Sequence, residues 1–181
     1  MGKFHGRLLD QHIAFIGRQH MFFVATAPLA ADGHINLSPK GGDTFRVLSP
    51  DSVAYMDFNG SGNETAAHLL QNGRITFMFC AFEGSPNILR LYGRGRCIQQ
   101  TDEDWHTYAT LFELQLATRQ IIVAEIFKVQ TSCGFSVPLF TYGGERDQLQ
   151  QWAEQKGPEG LEAYRHEKNR TSIDGLPTPL F

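Results

Sequence analysis

Short segments in which apolar and polar residues alternate dominate the chain from residue 21 to residue 132. Alternation of this kind places every second side chain on one face, which is typical of a half-buried β-strand. The strand-like segments are MFFVATA, HINLS, FRVLS, VAYMDF, RITFMFCAF, NILRLYGRGRCI and QIIVAEIFKVQTS. Since the connections between them are too short for the crossovers of a parallel sheet, we predict about six or seven antiparallel strands that form a barrel.

Helical periodicity interrupts and follows these strands. Leu9, Ile13 and Ile16 recur with helical spacing, which predicts a helix over residues 7–19. Further helices are predicted for ETAAHLLQ, for the segment after Thr101, and for the charged segment after Arg146, which Gly157-Pro158 divides in two. The final stretch, RTSIDGLPTPLF, has no periodicity.

These elements predict a single domain over residues 1–181 of a mainly β class with accessory helices. The barrel core is expected over residues 20–131, and a helical C-terminal extension over residues 132–181. The sequence has 181 residues, of which 41% are hydrophobic, and this is sufficient for one packed core.

Composition excludes several classes of function. The net charge of -3 gives no broad basic face, so nucleic acid is not expected as a partner. We find no secretory signal and no apolar run of the ~20 residues that a membrane helix needs, so we expect a soluble cytoplasmic protein without a membrane partner. The three cysteines are widely spaced without a C-x-x-C motif, and the histidines show no metal-ligand spacing, so we expect no metal site.

Two loops carry candidate binding chemistry. The strand HINLS is expected to end at Ser38, and Pro39-Lys40-Gly41-Gly42 follows it. A second loop, NGSGN, leads to Asn63, a suitable N-cap for the helix that begins with Glu64. A lysine and the free amides of a helix N-terminus together suit a phosphate group. The alternative is that both loops serve chain turning alone, and Glu64 favours it because an acid already complements the helix dipole.

Three segments give the sequence a resemblance to a known family. NLSPKG, YMDFNGSGNETAAHLLQNGRITFMF and LRLYGRGRC occur in the order found in the pyridoxamine 5'-phosphate oxidase-like flavoproteins, and the resemblance covers residues 7–131. It implies a split β-barrel and a homodimer that holds FMN in a crevice between the subunits. The flavin phosphate is then held by the strand-end lysine and by the loop before the short helix.

The resemblance also implies a set of cofactor-binding residues. They come from the lysine strand, from the next strand end, from the loop and helix that follow, and from a later strand. His68 has the alternative role of packing the short helix against the sheet. The expected set is Ser38, Pro39, Lys40, Phe58, Asn59, Asn63, Glu64, Thr65, His68, Asn87 and Arg90.

The sequence departs from the enzymes that give the family its name. Those enzymes carry Ser-Arg-Lys where this chain has Asn63-Glu64-Thr65, and they end with an arginine- and histidine-containing segment that is replaced here by IDGLPTPLF. Four arginines, Arg46, Arg74, Arg90 and Arg94, are candidates to replace the missing charge.

We therefore expect an FMN-dependent oxidoreductase with an unknown small-molecule substrate, with NAD(P)H as a possible reductant, and with no residue assignable to catalysis. The alternatives are a flavin- or haem-binding storage or sensor module without turnover, and a structural dimer with a vestigial site.

Overall fold

One antiparallel sheet organises the fold in the computed structural model, which describes residues 2–180. The strands are β1 Lys3–His5, β2 Met21–Thr26, β3 Asn36–Gly41, β4 Phe45–Ser49, β5 Ser52–Phe58, β6 Arg74–Cys80, β7 Ile88–Ile98 and β8 Thr118–Ser132. The helices are α1 Asp10–Ile16, α2 Glu64–Asn72, α3 Trp105–Ala109 and α4 Gln148–Lys168. The strand order is β3-β2-β6-β7-β8-β5-β4, and β1 pairs with β8.

The sheet curls into a split β-barrel, as the sequence predicts. Its inner face carries aromatic and branched side chains that pack into the main core, including Phe22, Tyr55, Phe77 and Phe79. The long strands β7 and β8 pair along their length, with a bulge at Tyr92/Gly93. A bulge bends a strand and increases its twist, so it contributes to the curl.

The outer face of the sheet is covered by the later helices. Trp105 and Ala109 of α3 pack against β5 and β8, so β5 is buried on both faces. Helix α4 places Ala153 and Leu161 against Ala117 at the start of β8. These contacts attach the C-terminal extension beside the end of β5, where the candidate loop begins.

The edge strand β3 is longer than predicted. The prediction that it ends at Ser38 is wrong, because Pro39, Lys40 and Gly41 continue the pairing with β2. Pro39 lacks an amide donor, and an edge strand tolerates this because one side of the strand needs no ladder hydrogen bonds. The turn begins only at Gly42, which has a positive φ of 71°.

Other boundaries also differ from the prediction. The first helix is α1, shorter than the predicted 7–19 segment, and β1 was not predicted because its three residues are exposed or half-exposed. The division of α4 is confirmed, since Gly157 has a non-helical φ of 64°. The C-terminal stretch forms a hairpin (residues 169–178, the C-terminal hairpin), closed by pairing of Thr171 with Pro177.

Candidate functional site

A cleft of about 960 Å³ lies between β3, the loop before α2, and the C-terminal hairpin. Ser38, Pro39 and Lys40 form one wall. Residues from Asp57 to Thr65 form the floor and the second wall, and Thr171, Ser172 and Ile173 form the third. The predicted juxtaposition of the lysine strand and the start of the short helix is therefore present within one chain.

Lys40 is held in the cleft by a buried carboxylate. Its Nζ donates to Asp57 Oδ1 at 2.8 Å, and Arg119 Nη2 and Gln120 Nε2 donate to Asp57 Oδ2 at 2.8 Å and 2.9 Å. The side chains of Asp57 and Arg119 are only 1% and 4% exposed, whereas that of Lys40 is 24% exposed. Lys40 thus lines the cleft with a partly exposed side chain, whereas its carboxylate partner is buried.

The local charge balance is positive. Burial alone would raise the pKa of Asp57, but the adjacent Lys40 and Arg119 hold it well below its usual value, so the carboxylate stays ionised. One carboxylate faces two cations, and this leaves a net positive charge beside the loop. Arg119 also donates to Gly62 O at 2.9 Å, which fixes the loop itself.

The start of α2 presents unsatisfied donors. Asn63 occupies the N-cap position, but the predicted side-chain cap is absent; its Oδ1 instead accepts a hydrogen bond from Gln120 at 2.9 Å. The side-chain amide nitrogens of Asn63 and Asn59 are buried and have no hydrogen-bond partner within residues 2–180. Buried donors without partners are costly, so these two favour a ligand with acceptor oxygens.

A chain of polar side chains connects the lysine strand to α2. Ser38 donates to Asn36 Oδ1 at 2.9 Å, and Asn36 Nδ2 donates to Thr65 Oγ1 at 3.0 Å. Asn36 also reaches Thr26, whose hydroxyl lies 2.9 Å from His68 Nδ1. His68 is fully buried behind this chain and does not line the cleft, so its position fits the packing alternative and not ligand contact.

The end of α4 anchors the loop at the floor of the cleft. Asn169 is fully buried; its Oδ1 accepts from Arg119 Nη1 at 2.8 Å and its Nδ2 donates to Gly60 O at 3.1 Å. Arg165 Nε donates to Asn59 Oδ1 at 2.9 Å. The C-terminal extension is consequently part of the site.

The tip of the C-terminal hairpin reaches the other two walls. Both carboxylate oxygens of Glu64 accept from the Ile173 amide, at 3.1 Å and 3.2 Å. Burial raises the pKa of Glu64, and the Ile173 amide opposes that shift. Asp174 binds His34 on the chain entering β3, with 2.6 Å between Asp174 Oδ1 and His34 Nδ1. The tip thus bridges β3 and α2 across the cleft.

The structure brings together most of the predicted site residues. Asn87 and Arg90 lie outside the cleft of their own chain, and Arg90 instead donates to Ser132 at 3.3 Å. The residues that line the cleft as expected are Ser38, Pro39, Lys40, Phe58, Asn59, Asn63, Glu64 and Thr65.

The sequence prediction missed the residues that organise the cleft. None of the four arginines proposed to replace the family's basic pair lines it; Arg119 does. Asp57 carried a usable signal, because it follows Val53 and Tyr55 on the inward face of an alternating strand, where a charge needs a partner. Asn169 and Asp174 had no such signal in the sequence, because neither belongs to a periodic pattern of apolar residues.

Two further features bear on the kind of site. Among residues 2–180, no group of three or more His, Cys, Asp or Glu side chains is arranged to hold a metal ion. Over the same range, no helix combines the length and the apolar character needed to cross a lipid bilayer.

Comparison with solved structures identifies the fold. A variant of HupZ from Group A Streptococcus superposes with a TM-score of 0.54 and 17% identity, over 69% of this chain and 99% of that one. A pyridoxamine 5'-phosphate oxidase-type protein from Lactobacillus delbrueckii gives a TM-score of 0.54 and 14% identity, over 69% and 94% of the two chains.

Sequence comparison extends the likeness. The pyridoxamine 5'-phosphate oxidase family model matches residues 8–133. The pyridoxamine 5'-phosphate oxidase family protein ustO of Aspergillus flavus is 41% identical over 194 aligned residues, which cover 98% of this chain and 78% of the relative. Together with the split barrel and its cleft, these matches show that the chain belongs to the pyridoxamine 5'-phosphate oxidase family.

Proposed function

We propose that the chain binds FMN in this cleft and acts as an FMN-dependent oxidoreductase. The observation that carries the proposal is that Lys40, Asn59 and Asn63 line the same cleft, while the buried side-chain amide nitrogens of the two asparagines have no hydrogen-bond partner among residues 2–180. These donors match the phosphate and hydroxyl oxygens of a flavin nucleotide. The cleft volume of about 960 Å³ also lies within the usual range for cofactor pockets, about 300–1,000 Å³.

The residues present fit the cofactor despite the missing basic pair. Lys40 would hold the phosphate, the amides at the start of α2 would add donors, and Arg119 contributes positive charge through the loop at Gly62. Ser38 and Thr65 add hydroxyl groups on opposite walls. When bound, FMN supplies the electron-transfer chemistry, and the protein supplies binding and orientation.

We further propose that the functional unit is a homodimer. Ile35, Leu37 and Ile173 border the cleft with 76%, 62% and 71% of their surfaces exposed. A group of exposed apolar residues beside a site is typical of an interface. A second copy that covers this border would shield the site from water. Asn87 and Arg90 remain predicted flavin contacts. Because they lie outside the cleft of their own chain, we propose that in the dimer they contact the flavin held by the partner subunit.

The test is purification followed by identification of the bound molecule by absorption spectrum and mass. Titration of the apoprotein with FMN and with riboflavin then measures the contribution of the phosphate. We expect FMN to bind at least about tenfold more tightly, which corresponds to about 1.4 kcal/mol. A protein that takes up neither flavin would overturn the proposal.

Turnover separates the enzyme from a storage or sensor module. We expect NADH, NADPH or a small organic substrate to reduce the bound flavin under anaerobic conditions, and an added acceptor to reoxidise it. Tight flavin binding without reduction by any of these donors would favour the storage or sensor alternative.

A further inference from the structure

His34 and Asp174 form an oriented pair at the border of the cleft. One carboxylate oxygen of Asp174 accepts from the His34 backbone amide at 2.8 Å, and the other accepts from the ring Nδ1–H at 2.6 Å. The backbone contact holds Asp174 beside residue 34, and the ring contact selects the form in which Nδ1 carries a proton, because an ionised carboxylate can only accept. Because Nδ1 carries the proton, Nε2 on the opposite side of the ring is the basic nitrogen.

The C-terminal hairpin is built to hold Asp174 in this place. Ser172 Oγ accepts from the Asp174 amide at 3.2 Å and from the Leu176 amide at 3.1 Å, which makes the tip rigid. Gly33 leaves room for the contact, since a Cβ there would lie 2.3 Å from Pro28 and 3.2 Å from Asp174 Oδ2. The contact thus depends on residues distant in sequence.

The ring faces the cleft and remains accessible. His34 lines the cleft, and its side chain is 68% exposed, so a bound molecule can reach Nε2. Glu64, which also lines the cleft, holds the neighbouring residue of the hairpin through the Ile173 amide. Because Glu64 already attaches the hairpin to the cleft, attachment alone does not explain why His34 is paired with Asp174.

The acidic groups around His34 increase its basicity. The hydrogen bond and charge of Asp174 on the hairpin raise the pKa of His34, and Glu64 of α2 and Asp32 in the preceding loop add to the shift. The same pairing lowers the pKa of Asp174. A histidine with a raised pKa is a stronger base once deprotonated.

We propose that His34, oriented by Asp174, is the catalytic proton acceptor for a substrate that carries an ionisable O–H or N–H group, such as an alcohol, a phenol or an amine. In this step the O–H or N–H bond breaks, its electron pair stays on the substrate, and the proton bonds to His34 Nε2. The inference rests on the proposed flavin site for the rest of the reaction, but the proton transfer uses only residues of this chain.

The first measurement needs no cofactor or substrate. Diethylpyrocarbonate modifies deprotonated imidazole, so the pH dependence of its reaction at His34, followed by peptide mass spectrometry, reports the pKa. We expect the midpoint to lie above that of an ordinary histidine and to move to lower pH in Asp174→Asn. The exposed His106 on α3 serves as the internal control and should be the same in both proteins. A midpoint that Asp174→Asn leaves unchanged would overturn the pairing.

The second measurement concerns catalysis. His34→Gln keeps a donor for Asp174 but cannot accept the proton, and His106→Gln is the matched control. FMN-loaded protein is mixed anaerobically with a panel of small alcohols, phenols and amines, and the loss of flavin absorbance is followed. We expect reduction by at least one class, with the rate constant of flavin reduction lowered about 10²–10⁴-fold in His34→Gln and the rise of that rate with pH abolished.

The results separate the two proposals. FMN uptake is measured first, and its absence overturns the proposed function, whereas the modification experiment still tests the histidine–aspartate pair. If FMN binds but no member of the panel reduces it, or if His34→Gln retains the rate and pH profile of the original protein, His34 is not the proton acceptor. Unchanged melting temperature and FMN uptake in His34→Gln exclude misfolding as the cause of a loss.

Discussion

At the residue scale, the carboxylate of Asp57 lies where side chains from two strands meet. It accepts hydrogen bonds from Lys40 on β3 and from Arg119 and Gln120 on β8. Each cation would otherwise face a poorly solvated cleft wall without a counter-charge. A single buried acid therefore determines where the positive charge of the cleft lies.

Replacement of Asp57 tests this role. Asp57→Asn leaves two cations without their counter-charge, so we expect the free energy of unfolding to fall by about 3–5 kcal/mol. Chemical denaturation at neutral pH measures this loss. Asp51→Asn is the control, because Asp51 is exposed and lies in the turn before β5. A loss in the free energy of unfolding below about 1 kcal/mol would contradict a dominant role for Asp57 as the counter-charge of the two cations.

The same carboxylate predicts a pH dependence. The folded-state pKa of Asp57 is lowered, so its stabilising contribution is complete above the unfolded-state pKa of about 4 and is lost as pH falls through the folded-state pKa. We expect the melting temperature of the original protein to fall below about pH 5 more steeply than that of Asp57→Asn. If the melting temperatures of the two proteins fell in parallel with decreasing pH, the stabilising role of the ionised Asp57 would be refuted.

The proposed flavin site predicts that Lys40 distinguishes flavins with and without a phosphate. Lys40→Ala should weaken FMN binding by about 10- to 150-fold, or about 1.5–3 kcal/mol, because a charge-assisted contact is lost. Riboflavin should bind the variant and the original protein about equally. Lys156→Ala makes the same charge change on exposed α4 and is the control. Equal weakening of both flavins would show that Lys40 acts through folding.

At the element scale, the alternation of apolar and polar residues predicted where the strands lie. The residues at which the strands end depend instead on the strands that pair with them. Pro39 and Lys40 read as a turn in the sequence, yet they continue β3 because β2 is long enough to pair with them. The pairing of β1 with β8 depends on a partner more than a hundred residues away, which no local pattern reveals. The helical stripe of α4 and its break at Gly157 were local features, and the sequence predicted both.

Gly93 sets the bend between β7 and β8. A Cβ at this position would lie 2.5 Å from Glu125 O and 2.9 Å from Ile126 Cδ1, so even one methyl group must displace backbone. We expect Gly93→Ala to destabilise the fold by about 1–3 kcal/mol in a denaturation experiment. Gly6→Ala, which meets nothing within 4 Å, should change stability by less than about 0.5 kcal/mol. Equal effects would argue against close packing at the bulge.

At the scale of the whole molecule, the split barrel and two walls of its cleft could be predicted because the lysine strand and the loop before α2 are each recognisable in sequence. The third wall could not, because Asn169 and Asp174 act through hydrogen bonds to Arg119, Gly60 and His34, which are all distant in sequence. The missing basic pair pointed to another source of positive charge, and only the three-dimensional structure shows that Arg119 lies in the cleft.

The proposed homodimer gives a prediction at this scale. Leu37→Asp places a charge in the exposed apolar border of the cleft and should weaken dimerisation by at least about tenfold, as measured by light scattering across a concentration series. Phe135→Asp changes another strongly exposed apolar residue, outside the cleft, and should leave the association unchanged. A monomeric original protein, or a dimer that Leu37→Asp does not weaken, would contradict the proposed interface.

Closure of the third wall by residues 169–178 has a consequence for biosynthesis. The strands that form the barrel emerge from the ribosome first and can pair while the hairpin is still inside the exit tunnel. The pocket therefore stays open on one side until translation of this segment is complete. Any molecule that depends on that wall can be captured only after this segment has been translated and has left the tunnel.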